Sequence, residues 1–284
     1  MSLMSRLLST TLIVTLSLSA SNSSESDVKN YIKKHMVKSS RVKVESVDII
    51  DKQTLDEPKG WDVYFVNIHA NIEKSPTVTD KVTVPETVFI SNGFAAPSLI
   101  NIKTGKDFKL ELKPELKSNI YDEKHLFAGN KDAKHKIVIF SDPQCPFCQE
   151  KVPEIYKIVK ENPETFALYY YHFPLLRIHP VSDVITRVMV IEQKKGHFDK
   201  VMELYSLKID AHEVDANKIL KQINKEFNLK VTEKDIDAQD IADEIKHDKE
   251  IATKSMVAGT PTVYVDGKWD KSRNDYKKLI PKKK

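Results

Sequence analysis

Several things this 284-residue sequence is short of already narrow its class. It has seven glycines and two tryptophans and carries no internal repeat, collagen-like period or low-complexity tract, which excludes fibrous and linker-like architectures. An excess of one charge is also missing. Its 45 Lys and Arg face 41 Asp and Glu, for a formal net charge of +4, and the positive residues are spread along all segments. No arginine-rich stripe with interleaved aromatics is present, so a nucleic-acid partner is not expected. The one basic run, Lys282-Lys283-Lys284 after Lys277-Lys278, reads as a solvated terminus. Beyond the first twenty residues no apolar stretch reaches the length of a membrane-spanning helix. Cysteine is the scarcest reactive residue: there are two, Cys145 and Cys148, three positions apart.

What is present begins with a leader. Arg6 supplies a positive start, Leu7 to Leu18 is apolar apart from hydroxyl residues, and Ser17, Ser19, Ala20 and Ser21 offer small residues for cleavage. Residues 1–20 therefore read as a secretory signal peptide, and the mature chain as a soluble protein outside the cytoplasm. In such a compartment structural disulfides are allowed, yet the chain keeps only one close pair of cysteines.

The remaining pattern divides in two. A short amphipathic helix is expected over Val28 to Val37, followed by long alternating strands at Arg41 to Ile50 and Trp61 to Ile72 about the Pro58-Lys59-Gly60 turn. Val82 to Ile90 and Ser98 to Ile102 are further strand candidates, with Asn92-Gly93 and Thr104-Gly105 as turns. Residues 21–105 thus form a small α+β unit, and Trp61 is placed in its core. Residues 106–126 read as a helical linker, with Pro114 near a helix start. From 127 to 284 the character changes: Ile137-Val138-Ile139-Phe140 is continuously apolar, as a strand buried on both faces must be. A helix from Pro146 to Glu161, a strand from Phe166 to Tyr171 and a helical insert at about 181–255 follow. The insert contains a Thr232/Asp235 capping box. The strand Thr262 to Val265, an Asp266-Gly267 turn, a short strand at Lys268-Trp269 and a last helix from Asp275 close the chain. This is the order of a thioredoxin-like α/β domain with an insertion.

Cys145-Pro146-Phe147-Cys148 supplies the chemistry. A thiol that exchanges disulfides must ionise easily, because the thiolate both attacks and leaves. After Ser141-Asp142-Pro143, Cys145 falls at a helix N-cap and Pro146 at the first helical position, so unpaired N–H groups and the helix dipole favour the Cys145 thiolate. Cys148, one turn on, can reach Cys145 while shielded from substrate. Cys145 attacks; Cys148 resolves. Half a zinc site does not fit, since no further cysteine and no close histidine pair completes four ligands, and no metal is expected. Gly259-Thr260-Pro261 precedes the last long strand, where a cis proline would bring backbone beside the redox pair.

Phe140 to Cys148, taken with Gly259-Thr260-Pro261, resembles the DsbC/DsbG group of dimeric periplasmic disulfide isomerases. The resemblance implies an N-terminal cystatin-like dimerisation domain, a helical linker and a thioredoxin-like catalytic domain, in a homodimer that holds misfolded protein in its cleft. It implies Cys145 as nucleophile, Cys148 as resolving thiol, Pro146 and Phe147 as tuning residues, Thr260 as a backbone contact for substrate and Pro261 as the cis proline. Beyond the redox-active Cys145–Cys148 disulfide it implies no cofactor. Pro153 matches the proline that kinks the active-site helix. Ile139 stands where oxidases of the DsbA type carry a buried acid, and Thr260 where they usually carry valine. The expected activity is isomerase or reductase action on misfolded or reduced exported proteins in the periplasm, with a DsbD-like membrane reductase as partner. The first alternative is a dimeric oxidase recharged by a DsbB-like partner, to which the helices from Val181 to Tyr205 also conform. The second is a redox-independent holdase chaperone. His172, His179 and His197 are weaker candidates for proton transfer, better read as packing or capping residues, and Tyr169-Tyr170-Tyr171 reads as core and sheet surface.

Overall fold

The structure, a computed structural model, describes residues 23–75 and 78–282. The expected signal peptide, residues 1–20, lies outside the described residues. Among the described residues no helix is long and apolar enough to cross a membrane.

The first unit is one helix on an antiparallel meander. Ser24 caps α1 (Glu25–Tyr31) through a reciprocal box in which its side chain accepts from Asp27 N and its own N–H reaches the Asp27 carboxylate. The helix loosens into a π turn over Ile32–Met36. Strands β1 (Val42–Thr54), β2 (Asp62–Ser75), β3 (Val78–Ser91) and β4 (Phe94–Ala96) pair in chain order. Asn92 and Gly93, with φ of 49° and 80°, make the β3–β4 turn in the left-handed conformation that this dipeptide tolerates. Val28 and Ile32 pack on Tyr64, Val66, Ile68 and Val88, which share one face of the sheet. On the opposite face Val63, Phe65 and Phe89 are also buried, because Leu99, Phe108, Leu112 and the distant Met256 cover them. Trp61 packs at the edge of that second cluster.

The connector departs from expectation. Residues 106–126 contain one helical turn, α2 (Phe108–Glu111), and a 3₁₀ turn at Ser118–Ile120, with extended chain between. Pro114 lacks an N–H and biases Lys113 away from helical angles. The apolar residues also serve two cores instead of one helix face: Leu112 packs with the small sheet, Leu116 and Ile120 with the large one. Asp51 of β1 holds the extended stretch, accepting from Glu115 N at 2.9 Å and Lys117 Nζ at 3.0 Å. The candidate strand at Ser98 to Ile102 reduces to one bridge, Ile100 to Asp107.

The second unit is a five-stranded sheet in the order β5-β7-β6-β8-β9, comprising β5 (Leu126–Gly129), β6 (His135–Ser141), β7 (Phe166–His172), β8 (Thr262–Val265) and β9 (Lys268–Trp269). Central β6 runs parallel to β7 and antiparallel to β8. Helix α3 (Pro146–Glu161) follows β6, and the insert contributes α4 (Ser182–Lys194), α5 (Phe198–Glu203), α6 (Ala216–Phe227), α7 (Glu233–Ile236) and α8 (Gln239–Lys254). The predicted Thr232/Asp235 box caps α7. Ile137, Ile139 and Tyr170 face the core shared with α3 to α6, while Val138, Phe140, Tyr169, Tyr171 and Tyr264 face a second core that includes Ala252 of α8. Burial on both faces explains the unbroken apolar run of β6. Gly129 is obligatory where β5 meets β7, since its φ is 80° and a Cβ would run into the Phe166 carbonyl. The final helix expected from Asp275 is a 3₁₀ turn, Asp275–Leu279.

Candidate active site

The site forms where β6 hands over to α3. Asp142, fully buried in the turn, accepts from Gln144 N (2.8 Å), Leu175 N (2.8 Å), His179 Nδ1 (3.0 Å) and Ser182 Oγ (2.6 Å). One carboxylate thereby fixes the turn and pins the start of the insert to it. Cys145 is the N-cap of α3, with φ −69° and ψ 122°, and Pro146 follows at the first position, where its missing donor costs nothing. Pro153 lies inside the helix. Both cysteines are free thiols; Cys145 is 7% exposed and Cys148 fully buried.

A second loop closes over the pair. Thr260–Pro261 is a cis peptide, and the Cys145 thiol donates to the Thr260 carbonyl at 3.3 Å. The Thr260 hydroxyl is buried with no partner of its own, so it is free to donate to the sulfur once the thiol ionises. Arg273 spans the two loops: its Nε donates to the Pro261 carbonyl at 2.9 Å and its guanidinium lies 5.7 Å from the centre of the Phe147 ring. Phe147 is 62% exposed beside the sulfurs.

The two thiols have opposite electrostatics. Cys145 is drawn down to about 5, first by the hydrogen bond from Cys148, against the opposing effect of burial, and then by the N–H groups of Cys148 and Phe147 and by Thr260. Cys148 is pushed well up, mainly by burial and then by its neighbour Cys145. In neutral water the pair is one thiolate and one thiol, as attack followed by resolution requires.

The structure brings together Cys145 at the N-cap of α3, Pro146, Phe147 and Cys148 in its first turn, and Thr260 and Pro261 across from them. Ile139 is fully buried in the sheet. The histidines are elsewhere occupied. His179 serves Asp142, His197 Nδ1 pairs with Glu192 at 2.7 Å, and His172 is buried with Nε2 on Gln193 at 3.0 Å. Sequence reading passed over Asp142 as a structural centre, Arg273, and Ser141 with its tyrosine neighbours. Asp142 carried a faint signal, an acid between a buried strand and a proline; Arg273 carried none, because its contacts are made only by the fold.

The family model described as Thioredoxin matches residues 122–281, more than half of the chain. The "Probable disulfide bond formation protein D" of Bacillus cereus is 29% identical over 150 residues, covering 49% of this chain and 68% of that protein. The protein of the same name from Bacillus anthracis is 27% identical over 150 residues with the same coverage. Among solved structures, oxidised BdbD from Bacillus subtilis aligns with a TM-score of 0.46 and 19% identity over 56% of this chain and 90% of that one. A periplasmic thioredoxin-like protein from Salmonella enterica serovar Typhimurium aligns with a TM-score of 0.45 and 17% identity, covering 58% and 96%. With its two cysteines at the β6–α3 junction and its family match running from the connector to the C-terminal turn, the chain belongs to the thioredoxin family of thiol–disulfide oxidoreductases.

Proposed function

We propose that the protein exchanges disulfides with exported proteins, with Cys145 as the attacking and leaving sulfur, Cys148 as the resolving one, and Thr260 and Pro261 as the backbone against which substrate lies. The asymmetry of the two thiols carries this reading. A thiolate as stable as that of Cys145 is a good leaving group and stabilises the reduced pair, which makes the oxidised pair a disulfide donor. The names of the two Bacillus relatives support the same direction. In that direction a substrate dithiol gives two electrons and two protons to the Cys145–Cys148 disulfide, and a DsbB-like membrane oxidase recharges the pair. The isomerase or reductase direction is the second reading, supported by Ile139 in place of a buried acid and by Thr260 before the proline; it calls for a DsbD-like reductase. The small unit, a helix on an antiparallel meander, supports a cystatin-like dimerisation role, and the leader supports a periplasmic location.

Alkylation trapping of the cellular redox state tests direction, alongside paired assays that oxidise a reduced protein and refold a scrambled one. A mostly oxidised pair with faster oxidation of reduced substrate supports donation; a mostly reduced pair with faster unscrambling overturns it in favour of isomerisation. Absence of both activities in the parent protein, with suppression of client aggregation that survives replacement of both Cys145 and Cys148 by Ala, would sink the redox reading altogether and leave the holdase.

A further inference from the structure

The turn after β9 carries a cation that the fold leaves unpaired beside the redox site. Buried Asp270 anchors this turn: its N–H donates to the Val263 carbonyl at 2.8 Å, and its carboxylate accepts from Ser272 Oγ and Asp275 N, each at 2.7 Å. Arg273 N–H donates to the Asp270 carbonyl at 3.1 Å, and Arg273 itself is held in the left-handed region at φ 57°. Its half-buried side chain thus leaves from a fixed base. Nε is taken by the Pro261 carbonyl, one residue from the Thr260 carbonyl that receives the Cys145 thiol, and the guanidinium lies beside the exposed Phe147 ring. The other cations between residues 271 and 278 each have a carboxylate: Lys271 pairs with Glu111, Lys277 with Glu154 and Lys278 with Asp275. Among the described residues Arg273 has no carboxylate within salt-bridge distance, and its two Nη groups have no acceptor. With Nε occupied, the free edge of the planar fork is Nη1–Nη2, which matches the two oxygens of a carboxylate.

We propose that Arg273 sets substrate preference: its Nη1–Nη2 edge binds the side-chain carboxylate of an Asp or Glu close to the reactive cysteine of a polypeptide lying against Thr260 and Pro261. The inference rests on the redox reading above. Pro261 is one residue from the carbonyl that meets Cys145, and an extended chain advances about 3.3–3.6 Å per residue, so the carboxylate belongs one or two residues from the substrate cysteine. The bond to Pro261 and the contact with Phe147 hold the fork in place before substrate arrives, so little side-chain freedom remains to be lost on binding.

Single-turnover oxidation of dithiol peptides by the oxidised full chain tests this. In each turnover the peptide gives two electrons and two protons to the Cys145–Cys148 disulfide and closes a disulfide of its own. Three peptides differ only in the residues flanking their cysteines, Glu, Gln or Lys. Each rate constant is divided by that peptide's rate with hydroxyethyl disulfide, which removes the effect of the flanking charge on the peptide thiols themselves. The Glu peptide should run about fivefold ahead of the Gln peptide at low salt, with the Lys peptide slowest; the advantage should lie in the half-saturating concentration and shrink as salt is added. Arg273→Gln, which keeps an N–H donor without the charge, should bring the Glu and Gln peptides together, and Arg273→Lys should keep Glu ahead. A peptide with its glutamates moved well away from the cysteines should gain nothing over Gln, and this arm decides if Arg273→Gln fails to fold. Equal normalised rates for Glu and Gln in the parent protein, or a Glu advantage that survives Arg273→Gln or the distant placement, overturns the proposal. Failure of the parent protein to oxidise any of the peptides overturns the redox reading on which it rests.

Discussion

The two sheets of this molecule solve burial in different ways. Among the described residues the small sheet buries only neutral polar side chains, Asn67 and Thr87, whereas the large one buries Asp142, Glu192, Glu244, Asp248, Asp270, His125 and His172. The first can be held by packing of Phe65, Phe89 and Tyr64; the second depends on buried carboxylates that are matched by donors or counter-ions, and a charge so matched is costly to unmatch. The chemistry sits in the second. A turn that must hold a thiolate at one fixed point gains from a carboxylate with four ligating donors, because hydrogen bonds have direction and packing does not.

The sharpest test removes one carboxylate from each unit. Asp142→Ala strands four donors in a dry site and should cost roughly 3–5 kcal/mol, with loss of the redox geometry. Asp51→Ala frees the connector from β1 at the partly exposed border between units and should cost about 1–2 kcal/mol. Denaturant melts of both variants check the ranking; equal losses would erase the distinction drawn between the sheets.

How much of this was legible follows from the range of the determinants. The helix after Cys145, the Asn92-Gly93 turn, the Thr232/Asp235 cap and the twofold-buried β6 are written in adjacent residues, and the observed elements follow them. The Cys145–Cys148 and Thr260–Pro261 halves of the site were legible because each is a local motif. The connector was misread because Leu112 and Leu116 look like one helical face while serving two cores. Arg273 over Phe147 and the hydrogen bonds of Tyr205 OH to Ser141 and Tyr170 depend on contacts between distant segments, which periodicity does not encode.

A smaller effect distinguishes the units by pH. His125 is held between Asp122, 2.7 Å from Nδ1, and Asp248, 2.9 Å from Nε2, with Glu244 at 3.8 Å. Lys124 pairs with Glu244, and the His247 ring stacks at 5.9 Å. Burial opposes the imidazolium, but the bonds and charges of Asp248 and Asp122 outweigh it and raise the His125 value above 6.5. Its contribution to stability is therefore full below pH 6.5 and lost as pH rises through the raised folded value. His125→Gln should cost roughly 1 kcal/mol more at pH 6 than at pH 9. The melts belong on the oxidised protein, so that Cys145 does not titrate. A pH-independent cost would mean that His125 is held neutral.

The smallest effect asks whether the two units are joined or merely adjacent. Met256 belongs to the loop that leads from α8 to Thr260, yet its side chain packs on Val63, Phe65 and Phe89 of the small sheet, and its carbonyl accepts from Lys113 Nζ at 2.9 Å. Its φ is 56°, a conformation that favours glycine. Met256→Ala loses the half-buried side chain and should destabilise by about 1 kcal/mol. Met256→Gly loses the same contacts but relieves roughly 1 kcal/mol of backbone strain, so it should come out near neutral. Calorimetry on the full chain reads both. If Met256→Ala is as neutral as Met256→Gly, the small sheet does not brace the loop before Thr260, and the two units carry their stabilities independently.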